Sequence, residues 1–237
     1  MRSEATRGLW PLRVAVVAAA AGAVGPAAAH LGIVPPIAGF AAFVLGGLTG
    51  LLNGVAGLFA FRRGARARGL AAMALSAAVG LALVHASASG LGKPAINDIS
   101  TDVAEPPTLV QAQSLPGNAR RNLVYPEAFR EVVPTAYPDL KPLRLEEAPD
   151  QVFARAVRLA QQRPDWQVTY VNGGSRVFEG VATSRIFRFK DDLVVRVRPD
   201  GAGSIVDMRS KSRDGKGDLG VNAERIRSFL VDLAKGS

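Results

Sequence analysis

Three long apolar stretches open the chain. Residues 14–34, 37–61 and 70–88 run for 21, 25 and 19 positions without an acidic, lysine or arginine side chain. A bilayer core of ~30 Å needs about 20 apolar residues in helical form, so each stretch is long enough to cross one. A different periodicity begins near residue 149. Val152, Phe153, Ala156, Val157 and Ala160 recur at helical spacing until Pro164 stops them. Trp166, Val168 and Tyr170 alternate with polar residues as in a half-buried strand, Asn172-Gly173-Gly174 signals a hairpin, and Val177, Glu179, Val181 and Thr183 continue as a second strand. Asp191-Asp192 reads as a turn, Leu193, Val195 and Val197 as a third strand, Pro199-Asp200-Gly201 as another turn, and Ser204 to Arg209 as a fourth strand. Ile226, Phe229, Leu230 and Leu233 stand at i, i+3, i+4 and i+7 of a closing helix.

The predicted architecture is three transmembrane α-helices followed by an α+β domain of helix, four-stranded antiparallel sheet and helix, with both helices on one face. The chain divides into an anchor over 1–90 (helices at about 14–34, 37–61 and 70–88), a proline-rich segment over 91–148 and the α+β domain over 149–237. Pro94, Pro106, Pro107, Pro116, Pro126, Pro134, Pro138 and Pro142 block a long helix in the middle segment. It reads as an extended linker lying across the domain, with a short helix around 127–132.

Charge gives the anchor a direction. The net +9 is uneven: residues 1–90 hold seven Arg and one Glu, while 91–237 hold 22 basic and 19 acidic side chains. Arg2, Arg7 and Arg13 precede or open the first stretch, and Arg62, Arg63, Arg66 and Arg68 fill the link between the second and third. Basic loops stay cytoplasmic, so the expectation is a multi-pass inner (plasma) membrane protein with a periplasmic carboxyl-terminal domain. Ala27-Ala28-Ala29 resembles a signal-peptide cleavage site; cleavage would leave two spans and the same sidedness. Because the excess positive charge sits in the anchor, no nucleic-acid partner is expected.

Residues 91–237 contain neither His nor Cys. That excludes serine–histidine and cysteine–histidine catalysis and His- or Cys-based zinc sites within the domain. No cofactor and no metal are expected; carboxylate chemistry, or no catalysis, remains. Both histidines, His30 and His85, lie near the outer ends of the first and third spans. They read as interfacial polar tips or, more sharply, as a haem, metal or proton-relay pair. Gly46, Gly50 and Gly54 share a helix face beside Asn53, for packing among the three helices or for homo-oligomerisation.

The richest candidate lies near the carboxyl end. Arg209, Ser210, Lys211, Ser212, Arg213 and Lys216 precede a helix amino terminus, where N–H groups and the dipole favour anions. Arg209, Ser210, Ser212, Arg213, Asp218 and Asn222 are the candidate anion or ligand loop, with Arg196 and Arg198 extending it. The alternative is ion pairing with Asp207, Asp214 and Asp218 in a solvated loop. Asp218 is placed to cap the last helix. Gly215-Lys216-Gly217-Asp218-Leu219-Gly220 matches Gly-x-Gly-x-x-Gly, but no strand with an acidic residue follows, so the dinucleotide reading fails. Asp191 and Asp192, with Asn97, Asp98 and Asp102, are secondary candidates; the latter group suits turns and caps better than a calcium loop.

The stretch from Arg209 to Asn222, with Arg-Ser-Lys-Ser-Arg, then Gly, Asp218-Leu219-Gly220, Asn222 and Arg225-Ile226, resembles the hallmark of the domain of unknown function 1499 family. Phe189-Lys190-Asp191-Asp192 resembles that family's phenylalanine and paired-aspartate turn. Asn97 to Asp102 with Pro106-Pro107 resembles the opening motif of its membrane-attached bacterial members. The resemblance covers roughly residues 95–235 and implies domain limits and a candidate site without naming a reaction. The functional expectation is a non-enzymatic envelope binding or scaffold protein, its partners the lipid bilayer and an envelope component or anionic ligand. The rival is a carboxylate-based enzyme or anionic-ligand receptor centred on Arg209 to Asn222.

Overall fold

A computed structural model describes residues 9–88 and 90–236; Arg2, Arg7 and Ser237 lie outside them. The chain groups into two units, one of the residues up to Leu91 with Arg185–Arg188, the other of Gly92–Ser184 with the residues from Phe189 onward.

The first unit contains helices α1 (Leu9–His30), α2 (Pro36–Arg62) and α3 (Arg66–Ala88), all long and apolar enough to cross a membrane. Most of their large apolar side chains, such as Val17, Leu52 and Leu81, face outward, while small residues such as Ala15, Ala18, Gly46, Gly50 and Ala72 are buried. The former suit a lipid environment, and the latter let backbones approach. A Cβ on Gly46 would lie 2.6 Å from the Ala18 carbonyl oxygen of α1, and one on Gly50 2.5 Å from Val79 Cγ1 of α3. Gly46 and Gly50 therefore serve packing among the three helices. A Cβ on Gly54 would meet only Ser76 Cβ, at 4.0 Å. Asn53 Nδ2 donates to Ser76 Oγ of α3 and to the Pro11 carbonyl of α1, both at 3.0 Å, so one amide ties three helices together.

The second unit is an α+β domain with a six-stranded sheet rather than four strands. It runs through β1 (Asp98–Ser100), α4 (Phe129–Ala136), β2 (Leu143–Leu145), α5 (Pro149–Gln162), β3 (Trp166–Asn172), β4 (Val177–Thr183), β5 (Lys190–Asp200), β6 (Gly203–Ser212) and α6 (Val221–Ala234). The meander β3-β4-β5-β6 is antiparallel throughout, and both β1 and β2 pair with β6. The two extra strands come from the proline-rich segment and have three residues each, too short to show a period. The short helix there also extends further than expected, with Pro134 inside it.

Alternation along the strands makes two faces. Phe178, Leu193, Val195, Val206 and Met208 pack with Val152, Phe153 and Ala156 of α5 and Ile226, Phe229 and Leu233 of α6 in the main core. On the outer face Val194 joins Leu109, Ala112 and Leu123 of the proline-rich segment in a small second cluster. That segment thus roofs the sheet and completes it.

Candidate functional site

The strand expected to end at Arg209 runs on through Ser210, Lys211 and Ser212, so these three are strand and not loop. The extension escapes detection because it is polar on both faces and so lacks apolar alternation. Pairing sorts it. Arg209 and Lys211 lie opposite Ser100 and Asp98 on the outer face, while Ser210 faces the helix side opposite Ile99. Asp191 and Asp192 likewise stand in β5 instead of a turn, opposite Ser212 and Lys211, and both are buried. Two adjacent acidic residues suit a solvated turn by composition, but each finds a cationic partner that permits burial.

On the outer face the Arg209 guanidinium is 2% exposed and grips fully buried Asp98 by two parallel bonds, Nε to Oδ1 and Nη2 to Oδ2, each 2.9 Å. Its other N–H groups donate to the carbonyls of Pro107 (3.1 Å) and Leu123 (2.7 Å), and it lies over the Tyr125 ring. Lys211 Nζ donates to Asp98 Oδ2 at 2.9 Å. Arg213 Nη2 donates to Asp192 Oδ1 at 2.6 Å, and Asn118 and Arg121 of the roof donate to Asp192 Oδ2 at 2.9 and 3.2 Å. A Cβ on Gly117 would lie 2.6 Å from Arg213 Nη1, so only glycine leaves that guanidinium its place. Farther along, Asp207 accepts from Arg196 (3.0 Å) and Arg198 (2.8 Å), and both also reach Asp102. These two arginines extend the ion-paired layer and do not open an anion patch.

On the helix face Arg225 of α6 donates to Asp191 Oδ2 at 2.6 Å and to Ser210 Oγ at 3.0 Å. Ser210 Oγ donates to Asn222 Oδ1, and Asn222 Nδ2 donates to Ser212 Oγ. Asp218 caps α6 as expected, its Oδ1 accepting from Gly220 N at 2.9 Å and its Oδ2 from Asn222 N at 2.8 Å. Gly220 sits at φ 85°, the left-handed region that glycine enters freely. Asn97 Nδ2 donates to the Gly215 carbonyl, and Asp102 Oδ1 accepts from Glu105 N.

Composition alone hid several members. Glu179 is 1% exposed, and its carboxylate accepts from Val110, Gln111 and Ala112 N–H groups at 2.7, 2.9 and 2.7 Å. Its signal was a charge amid the apolar positions of a strand. Asn118 and Arg121 left no signal in the proline-rich segment. Two buried tyrosines flank the network. Burial, reinforced by the charge of Asp98, pushes the Tyr125 phenol up, and burial with Asp218 pushes Tyr137 up. In the helical unit His30 Nδ1 lies 2.9 Å from the Arg185 carbonyl oxygen. Among the described residues no group of three or more His, Asp or Glu side chains gathers to hold a metal.

The arrangement thus places buried cations against buried carboxylates on both sides of β6, joining the roof and α6 to the sheet. A family model described as a protein of unknown function, DUF1499, matches residues 98–233. The chain belongs to the DUF1499 family. No curated protein matches it. The matched DUF1499 region begins at Asp98, the partner of Arg209 and Lys211, and ends on α6, so it takes in the roof segment as well as the meander. In this DUF1499 domain the residues of the carboxyl hallmark meet one another and the roof through buried contacts.

Proposed function

We propose that this DUF1499 protein is a non-enzymatic inner-membrane protein whose carboxyl-terminal domain faces the periplasm and binds or scaffolds an envelope component. One observation carries the reading: Arg209, Arg213 and Arg225, the arginines best placed to clamp an anion, are bound to Asp98, Asp192 and Asp191 inside the domain. A carboxylate enzyme built on the same residues would have to break these pairs before its acids met a substrate. Breaking a buried pair costs about 3–5 kcal/mol. Sidedness rests on Arg2, Arg7 and Arg13 near the start of the sequence and on Arg62, Arg63, Arg66 and Arg68 between the second and third apolar stretches.

Fusions at Ser237 test the sidedness. Alkaline phosphatase, active only outside the cytosol, is expected to be active, and green fluorescent protein exported by the general pathway to be dark; the reverse pattern refutes the periplasmic placement. Crosslinking in native membranes, followed by purification of the full chain, is expected to retain an envelope component in stoichiometric amount. Substrate turnover abolished by a single exchange such as Asp192→Asn, with the fold intact, would instead favour the enzyme.

A further inference from the structure

An open groove of about 380 Å³ lies outside the ion-paired layer, between the Asp139–Arg144 segment and α6. Leu140, Pro142 and Leu143 form one apolar wall, and Leu230, Val231 and Ala234 the other. Val231 is 46% exposed, although Phe229, Leu230 and Leu233 beside it are buried. The volume falls within the range of small ligand sites.

Two features describe what fits there. The first is charge. The groove's lining has three cations, Lys141, Arg144 and Arg227, against one acid, Asp139. Arg227 is held by Asp139 and Glu224, and Arg144 by Asp200. The two arginines are thus neutralised by their own carboxylates, and Lys141, which has no ion pair among the described residues, is the cation left for a carboxylate of the ligand. The second is the backbone. Leu143 and Arg144 belong to β2, which pairs with β6 on one side and with no other strand among the described residues. Residues of an antiparallel strand alternate in directing N–H and C=O toward the partner and away from it. In a strand of three residues at least one therefore turns both groups to the open side. An edge strand beside an apolar groove walled by a helix suits strand addition by an extended peptide. A lipid tail would use the apolar walls but not the strand edge.

We propose that this groove binds an extended, acidic and apolar peptide segment of a partner protein. The peptide pairs along β2, sets an apolar side chain against Leu230 and Val231, and brings a carboxylate to Lys141. The proposal deepens the binding reading above and rests on it.

The test is a phage-displayed library of randomised decapeptides, panned against the full chain in phosphatidylcholine nanodiscs. Enrichment of peptides with alternating apolar residues and an acidic end is expected. Lys141→Glu and Val231→Lys, both at exposed positions, should each weaken the best synthetic peptide by roughly tenfold or more without moving the thermal midpoint. N-methylation of alternate peptide amides in the register that pairs with β2 should abolish binding. No enrichment, or equal affinity for wild type and both variants, overturns the proposal. So does a peptide whose affinity survives N-methylation in either register while palmitate displaces it, which would make the groove an amphiphile site. If the double variant still retains the crosslinked envelope component, the groove assignment fails while the binding reading stands. If wild type retains no component, the binding reading itself fails.

Discussion

Arg209 shows what a single residue does in this fold. It is among the most deeply buried large side chains, and its N–H groups reach Asp98 and two carbonyls of the roof. Arg209→Ala would strand Asp98 with Lys211 alone, so we expect a loss of about 3–5 kcal/mol, read as a fall in denaturant midpoint. Arg176→Ala, which breaks the surface pair with Asp150 (77% exposed), should leave the denaturant midpoint nearly unchanged, because solvent screens an exposed pair. Equal effects would mean the buried pair is not structural. Tyr125 makes a pH prediction. Its folded value is raised, chiefly by burial, so the fold favours the neutral phenol. That contribution is complete below the ordinary tyrosine value of about 10 and is lost as pH rises from there toward the folded value. In an alkaline titration the Tyr125 phenolate absorbance should develop together with loss of circular dichroism, and Tyr125→Phe should move that loss to higher pH. Full phenolate amplitude on an intact fold would refute this.

At the scale of elements, helix contacts separate glycines that look equivalent in sequence. Gly46, Gly50 and Gly54 repeat every four residues, yet only the first two meet a neighbouring helix closely. Gly46→Ala would press a methyl group on the Ala18 carbonyl of α1, a backbone atom that cannot rotate away, whereas Gly54→Ala has room. In detergent we expect Gly46→Ala to lower the melting temperature and Gly54→Ala to leave it within error; a reversed order would refute the assigned packing. The strands show a similar divide. The β3–β4 hairpin and the β5–β6 turn were legible because apolar alternation and turn residues agree. The end of β6 beyond Arg209 was not, since Ser210 to Ser212 are polar on both faces and are buried by pairing with partners more than ten residues away in sequence.

The second unit as a whole depends on its roof. The Gly92–Tyr125 stretch supplies β1, the backbone N–H groups that satisfy Glu179, and the side chains of Asp98, Asn118 and Arg121. Without it Arg209 and Lys211 lose their carboxylate and Glu179 its donors, and an unpaired buried charge is costly. A full chain lacking residues 96–124 should therefore lose the cooperative unfolding transition of this unit, with rapid amide exchange in β5 and β6. An unchanged transition would mean that the meander and its two helices stand alone.

The order of local patterns determined three apolar helices, then a helix, a meander and a helix, because burial on one side of a regular element leaves a period in the sequence. The hallmark stretch also pointed to DUF1499 before any geometry was known. Only the tertiary structure decided that the proline-rich segment completes the sheet, that the paired aspartates are buried, and that the hallmark arginines face carboxylates. Those outcomes follow from long-range charge pairing, which has no period along the chain and is settled only when distant segments meet.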